Sequence, residues 1–543
     1  MARLYNHANR MPTRLMLRSP ALLALLFWLH ISLLAEAPKK APAAKTLAAR
    51  IDAILAQPLL ARADWGVEAV DIDTGKVIYA RNADRLFVPG SNAKLLTTSA
   101  VLALVGPDYR FRTTVETTGA IDSAGRLAGD LVIVGRGDPN ISGRALPYQL
   151  KSQRIPPHTQ ILEEMADQVA RSGIKTVAGD IVGDDTFYAP QRQPEGWSLD
   201  DVQWLDGAPV SALTFNDNVV FVKIQPAAQI GDKALVTFEP SANYYELDNR
   251  IITGPPKTAR KIGMHRDPGS HKIVLWGTLP LEDAGLAEAV SIEDPAEFTA
   301  SIFRSLLEER GITVTGTARA VHGDLARFFD QLPPADANGS SGASASPAVS
   351  TKVLALHVSL PLIEDVRVTN KTSQNLHAEL ALRLLGQKTE NNPSYEGGLA
   401  AMKKFLHGAG VQDEEYFLTD GSGLSRKDLI TPSAMVRVLM YDANQPWGPA
   451  FEETLPVAGV DGSLAERFVN TPAGGLVHAK TGTLSHSSAL SGYGQTRSGK
   501  RFVFSIFCNK INAPSHKAAT AIDEIVQLLV GEGRVSQKKI SHH

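Results

Sequence analysis

Ser91-Asn92-Ala93-Lys94 places a hydroxyl and an amine three residues apart. On a helix, positions i and i+3 share one face, so Ser91 Oγ and Lys94 Nζ can meet. A serine hydroxyl is a poor nucleophile until an adjacent base takes its proton. Lysine can be that base when burial or a nearby cation lowers its pKa and leaves the amine neutral near pH 7. If Ser91 opens a helix, the backbone N–H groups there also favour a developing oxyanion. The competing reading of Ser91 is a plain helix N-cap. The tetrapeptide does not choose between them, because S-x-x-K recurs at Ser172/Lys175 and Ser536/Lys539.

Two later patterns shift the balance. Lys480-Thr481-Gly482, followed by Thr483, is the one K-T-G in the chain. A strand-edge lysine offers positive charge to a carboxylate, threonine hydroxyls can bind the same group, and Gly482 would let substrate backbone approach closely. Ser373-Gln374-Asn375 presents a hydroxyl and an amide two residues apart at a helix start, although S-x-N also occurs at Ser241-Ala242-Asn243.

These groups need elements to hold them. Residues 46–60 have helical spacing, and 65–79 alternate around Asp73-Thr74-Gly75, a β-hairpin signal. Pro89-Gly90 breaks the chain before Ser91, and 92–104 lack Gly and Pro, which predicts a helix with the serine at its mouth. From about 111 to 349 short β-like runs (131–134, 218–224, 272–279) alternate with turns, with helices at 159–171 and 295–310. Residues 333–350, rich in Pro, Ala, Gly and Ser, read as a flexible connection. Helices follow at 375–385 and 397–407, a strand at 475–482, a hairpin from 488–496 and 501–509, and a helix at 518–529. Strands and a helix at both ends of the chain predict one sheet built from the two ends, with the long middle inserted into it.

Bulk properties exclude several classes. The 543 residues are too many for one core. A net charge of −2 gives no field for gathering nucleic acid. The single cysteine, Cys508, lies in an apolar run and reads as a buried strand residue; no metal and no cofactor are expected. Arg14 and Arg18 precede an apolar stretch at 21–34, with small residues at Ala35 and Ala37, the layout of a secretory signal. That stretch is short for a membrane span, though an uncleaved anchor is the alternative. Export without disulfides fits a bacterial periplasm.

The order of the motifs, nucleophile helix, S-x-N, then K-T-G on a late strand, resembles that of the penicillin-recognising serine enzymes. Gln374 stands where the usual middle residue is Asp. The long interval between Ser91 and Ser373 resembles the peptidase S13 D-alanyl-D-alanine carboxypeptidases, the class C low-molecular-mass penicillin-binding proteins. Further landmarks are Pro89-Gly90-Ser91, Gly137-Asp138-Pro139, the Leu213 to Asn218 run, the Asn370 to Asn375 run, the Asp420 to Arg426 run and the Gly459 to Leu464 run. The resemblance implies an α/β (α+β) transpeptidase-like, β-lactamase-like domain with a large β-rich insertion of two small domains. The implied division is a signal at 1–37, a catalytic part at 38–110, the insertion at 111–351, the second catalytic part at 352–531 and a tail at 532–543. It implies Ser91 as nucleophile, Lys94 as base and Ser373 in the proton relay. Asn375 would bind the substrate amide; Lys480, Thr481, Gly482 and Thr483 would frame the carboxylate site, with an oxyanion hole from the Ser91 and Thr483 amides. Arg426 and Asp185 match the regions that grip a diamino-acid side chain. Implied partners are peptidoglycan stem peptides ending in D-Ala-D-Ala and β-lactam antibiotics. A serine β-lactamase or esterase of the same superfamily is the alternative.

Overall fold

The structure, a computed structural model, describes residues 46–148, 158–325 and 351–531. The signal, the 333–350 connection, the tail and the Ser536/Lys539 pair lie outside the described residues.

A five-stranded antiparallel sheet is assembled from both chain ends, in the order Val77–Arg81, Asp64–Asp71, Arg501–Asn509, Ser487–Gln495, Val477–Leu484. The strand Arg501–Asn509 is covered on both faces, which is why it reads as a continuous apolar run. Phe502, Phe504, Ile506 and Cys508 pack with the helices Leu47–Leu55 and Ser515–Gly531. Val503 and Phe507 pack on the opposite side, with the helices Ala93–Leu104, Leu362–Thr372, Asn375–Leu385, Tyr395–Gly408 and Pro432–Ala443. Cys508 is buried, as expected. The first helix stops at Leu55 rather than at 60, because Pro58 follows and its ring disfavours helical backbone in the residue before it.

Strand Arg112–Thr117 leads into the insertion and strand Lys352–Val358 leads out, and the two pair antiparallel. The inserted chain therefore leaves and returns through neighbouring strands. One part combines a five-stranded and a four-stranded sheet with the helices Gln160–Arg171 and Pro295–Glu309 over one apolar core. The other holds two three-stranded sheets around a separate core of Val220, Val222, Ile251, Ile273 and Leu275. These are two small β-rich units, each with its own apolar core, set within the middle of the chain.

Candidate active site

Ser91 sits in a tight 3-10 turn, Gly90–Asn92, that runs directly into the helix Ala93–Leu104. No side chain caps that helix, so the N-cap role does not account for Ser91. Its hydroxyl lies 3.0 Å from Lys94 Nζ. The decoy Ser172 is explained otherwise: it ends a helix and donates its hydroxyl hydrogen to the Val169 carbonyl.

Lys94 is fully buried. Its Nζ donates to Asn375 Oδ1 at 2.6 Å and to the Ser422 carbonyl at 2.7 Å. Asn375 Nδ2 donates to the Asp206 carbonyl at 2.8 Å, which fixes which way that amide points. Both acceptors lack a hydrogen to give. A neutral amine therefore spends its two N–H groups on them and turns its lone pair toward the Ser91 hydroxyl, the arrangement a general base needs. Burial pushes the Lys94 pKa down to about 8, against the pull of the Asp420 and Glu379 carboxylates.

The Ser422 carbonyl is itself held in place. Glu379 accepts from the Gly421 and Ser422 amides, and Asp420 accepts from the Gly423 and Ser425 amides and from Trp197 Nε1 at 2.9 Å. Gly423 adopts φ +74°, and a side chain there would strike the Gly90 carbonyl oxygen, so this loop packs directly under the turn that holds Ser91.

On the other side, Ser373 ends the helix Leu362–Thr372 in a left-handed conformation, φ 61°, and Asn375 begins the next helix. Lys480 Nζ donates to Ser373 Oγ at 2.8 Å and to the Thr481 carbonyl at 2.9 Å. Burial, together with the Lys94 charge, holds the Lys480 pKa well below the lysine range. Two ammonium groups are unfavourable in so dry a site, and a ligand carboxylate at Lys480 would restore its charge. Asn92 Nδ2 donates to the Lys480 carbonyl at 3.1 Å and so ties the Ser91 turn to the strand. A Cβ at Gly482 would collide with the Pro89 carbonyl oxygen and crowd Asn92 Nδ2. The room that Gly482 leaves is thus taken by the protein's own Pro89–Asn92 turn and not by substrate backbone, contrary to the expectation from sequence. That contact sets Gly90 beside the Thr483 amide, 3.2 Å from where a Gly90 Cβ would stand.

The structure thus gathers Ser91, Lys94, Ser373, Asn375, Lys480 and Gly482 at one junction of helix, loop and strand. Thr481 meets Ser463 Oγ at 2.8 Å on the outer side of the same strand, and Thr483 is exposed at its end. The two outlying candidates have other partners. Arg426 Nη1 donates to Asp201 Oδ2 at 3.1 Å and is otherwise open to solvent. Asp185 is buried, accepting from Ser211 Oγ at 2.9 Å and facing His322 Nδ1 at 2.8 Å. A ligand ammonium would have to compete with His322 for it.

The profile of the D-Ala-D-Ala carboxypeptidase 3 (S13) family matches residues 47–323 and 336–530. The chain belongs to this family. A D-alanyl-D-alanine carboxypeptidase from Actinomadura sp. (strain R39) is 34% identical over 493 residues, covering 89% of this chain and 84% of that protein. The D-alanyl-D-alanine carboxypeptidase DacB of Haemophilus influenzae is 24% identical over 482 residues, covering 87% and 91%. The crystal structure of penicillin binding protein 4 (dacB) from Haemophilus influenzae shares the fold, with a TM-score of 0.73 at 22% identity over 89% of this chain and 98% of that one. A second structure of that protein, complexed with a novel β-lactam, aligns with a TM-score of 0.67 at 21% identity, covering 89% and 99%.

Several residues of this S13 site were not singled out from sequence. Asn92 lies inside S-x-x-K and Ser463 inside the Gly459 to Leu464 run with no role legible for either side chain, and Glu379 lies in no motif. Ser422 acts through a backbone carbonyl, which any residue type possesses.

The geometry gives a pH dependence. If Lys94 is the base, the second-order rate constant for acylation by a penicillin is expected to rise with pH through an apparent pKa near 8, because only a deprotonated Lys94 can take the Ser91 proton. Stopped-flow measurement across that region checks it, and a flat or falling profile contradicts the base assignment.

Proposed function

We propose that this S13 enzyme cleaves the terminal D-Ala-D-Ala bond of peptidoglycan stem peptides through an acyl-enzyme on Ser91. The observation that carries the reading is the enclosure of Lys94, whose Nζ lies within hydrogen-bond reach of Asn375 Oδ1, the Ser422 carbonyl and Ser91 Oγ, so that on losing its proton it keeps two N–H groups for the first two and offers its lone pair to Ser91.

The steps follow from these positions. The substrate's terminal carboxylate meets Lys480, with Thr481 and Thr483 beside it. Asn375 takes part in holding the peptide amide. Lys94 accepts the Ser91 proton as Oγ attacks the carbonyl, and the oxyanion develops against the Ser91 and Thr483 amides. Ser373, bridged to Lys480, relays a proton to the departing D-alanine amine. Water then cleaves the ester and regenerates Ser91. The same machinery supports D,D-endopeptidase cleavage, since that bond also follows a D-alanine. Arg426 and Asp185 would receive the carboxylate and ammonium of a diamino-acid side chain, exchanging Asp201 and His322 for them. A β-lactam enters the same path and remains as the acyl group. The catalytic unit in this reading comprises 38–110 and 352–531, with 111–351 inserted. Its substrate places the enzyme in the periplasm, with residues 1–37 as the export signal.

The test is release of free D-alanine from a pentapeptide ending in D-Ala-D-Ala. One equivalent per peptide is expected, and pretreatment with penicillin should stop it. Folded protein that releases none, or that releases it undiminished after penicillin, overturns the reading.

A further inference from the structure

The left-handed backbone at Ser373 is sparsely populated for a residue with a side chain, so its surroundings must hold it there. The residue that follows, Gln374, is the middle position of S-x-N, and it is almost fully buried. Its Nε2 donates to Asp217 Oδ2 at 2.6 Å. Asp217 comes from the insertion, far away in sequence.

Asp217 occupies an unusual piece of backbone. Asn216, Asp217 and Asn218 all have positive φ, 52°, 54° and 54°. Asn and Asp tolerate this region better than other side chains, because they can satisfy local backbone groups. Both asparagines do so here: Asn216 Nδ2 donates to the Val219 carbonyl at 2.7 Å, and Asn218 Nδ2 to the Pro209 carbonyl at 2.8 Å. These bonds tie the turn to Val219 and Pro209, and the Asp217 side chain within it is fully buried.

That carboxylate is shared by three side chains. Gln374 and Arg144 meet Oδ2, and His377 Nε2 lies 3.3 Å from Oδ1. His377 is fully buried, with its Nδ1 2.7 Å from Asp365 Oδ1. A carboxylate at each ring nitrogen asks both nitrogens to donate. Asp365 in turn accepts from Asn140 Nδ2 of the insertion at 3.2 Å. Gln374, Asn375 and His377 lie on or beside the first turn of one helix, so this network grips the segment that carries Ser373 and Asn375 toward Lys480 and Lys94.

We propose that Asp217 is a positioning residue for acylation: through Gln374 and His377 it locks the Ser373–Asn375 segment of the catalytic site onto the insertion. The proposal rests on the reading of Ser373 and Asn375 as site residues. It also gives a physical reason for glutamine at position 374. An aspartate or glutamate there would set a second buried carboxylate against Asp217, whereas an amide completes it.

The experiment is saturation kinetics of acylation by a fluorescent penicillin on the full chain, with thermal unfolding of each variant recorded alongside. Gln374→Glu is expected to slow the first-order acylation step by about 10²-fold, the scale of a misplaced catalytic group, with the penicillin dissociation constant little changed. Exchanging the partners, Gln374→Glu with Asp217→Asn, restores an amide–carboxylate pair and is expected to recover acylation to within about tenfold of wild type. Should Gln374→Glu fail to fold, Gln374→Met, neutral and of similar length, is expected to lose about tenfold in the same step. A folded Gln374→Glu or Gln374→Met that acylates at the wild-type rate overturns the proposal. So does a folded double variant no faster than the single one. Asn375→Ala separates this failure from failure of the site reading. If that variant is slow while the Gln374 variants are normal, the site stands and the inference falls; if it acylates normally, the site reading itself falls.

Discussion

Ser91→Ala is expected to abolish covalent labelling by a fluorescent penicillin and to lower kcat for D-alanine release by a factor on the order of 10⁶, the scale seen when a serine enzyme loses its nucleophile. Ser91 is half-buried, and its hydroxyl contacts Lys94 across 3.0 Å without capping the helix. Losing one such contact should change folding stability by about 1 kcal/mol or less. Urea unfolding beside the labelling gel checks both halves of the expectation. A variant that unfolds like wild type yet still takes up the label means that the nucleophile is another residue.

Lys94→Ala is expected to slow acylation by about 10²–10⁴-fold with Ser91 intact, the usual contribution of a positioned base. Its effect on stability is harder on the protein. Asn375 Oδ1 and the Ser422 carbonyl lose their donor, and a buried acceptor left unpaired costs about 1–3 kcal/mol. Relief of the lysine's own desolvation offsets part of this. Lys94→Arg separates charge from basicity, because guanidinium keeps the cation but has no lone pair to accept a proton at working pH. It is expected to be as slow as the alanine variant in the same labelling assay. An arginine variant close to the wild-type rate would mean that Lys94 serves as a fixed positive charge.

Much of this site could be read from sequence because its parts are local. Ser91 and Lys94 are three residues apart, so helical geometry alone brings them together, and they lie 3.0 Å apart. The sheet from two chain ends was equally legible, since the hairpin at 65–79 and the strands at 488–496 and 501–509 announce themselves by alternation and turn residues. The first helix was read too long because apolar spacing continues through Leu60 past the break at Pro58. The predicted start of the Lys480 strand, 475, was early because Gly475 and Leu476 precede pairing that begins at Val477.

What stayed hidden depends on long-range meetings. Nothing near Gln374 in sequence reveals Asp217, and nothing in Pro89-Gly90 reveals that Gly482 exists to receive it. The left-handed turn at Ser373 was also invisible, because glycine usually marks such a conformation and serine does not. Backbone acceptors such as the Ser422 carbonyl leave no trace in side-chain identity. Local rules bring Ser91 and Lys94 together; the groups that set the geometry around them are tertiary.

Mass spectrometry of the penicillin-treated full chain tests the central claim most directly. The intact mass should increase by one penicillin per molecule, and after digestion the added mass should sit on the peptide containing Ser91. An adduct on any other residue, or folded protein that carries none, would contradict the account.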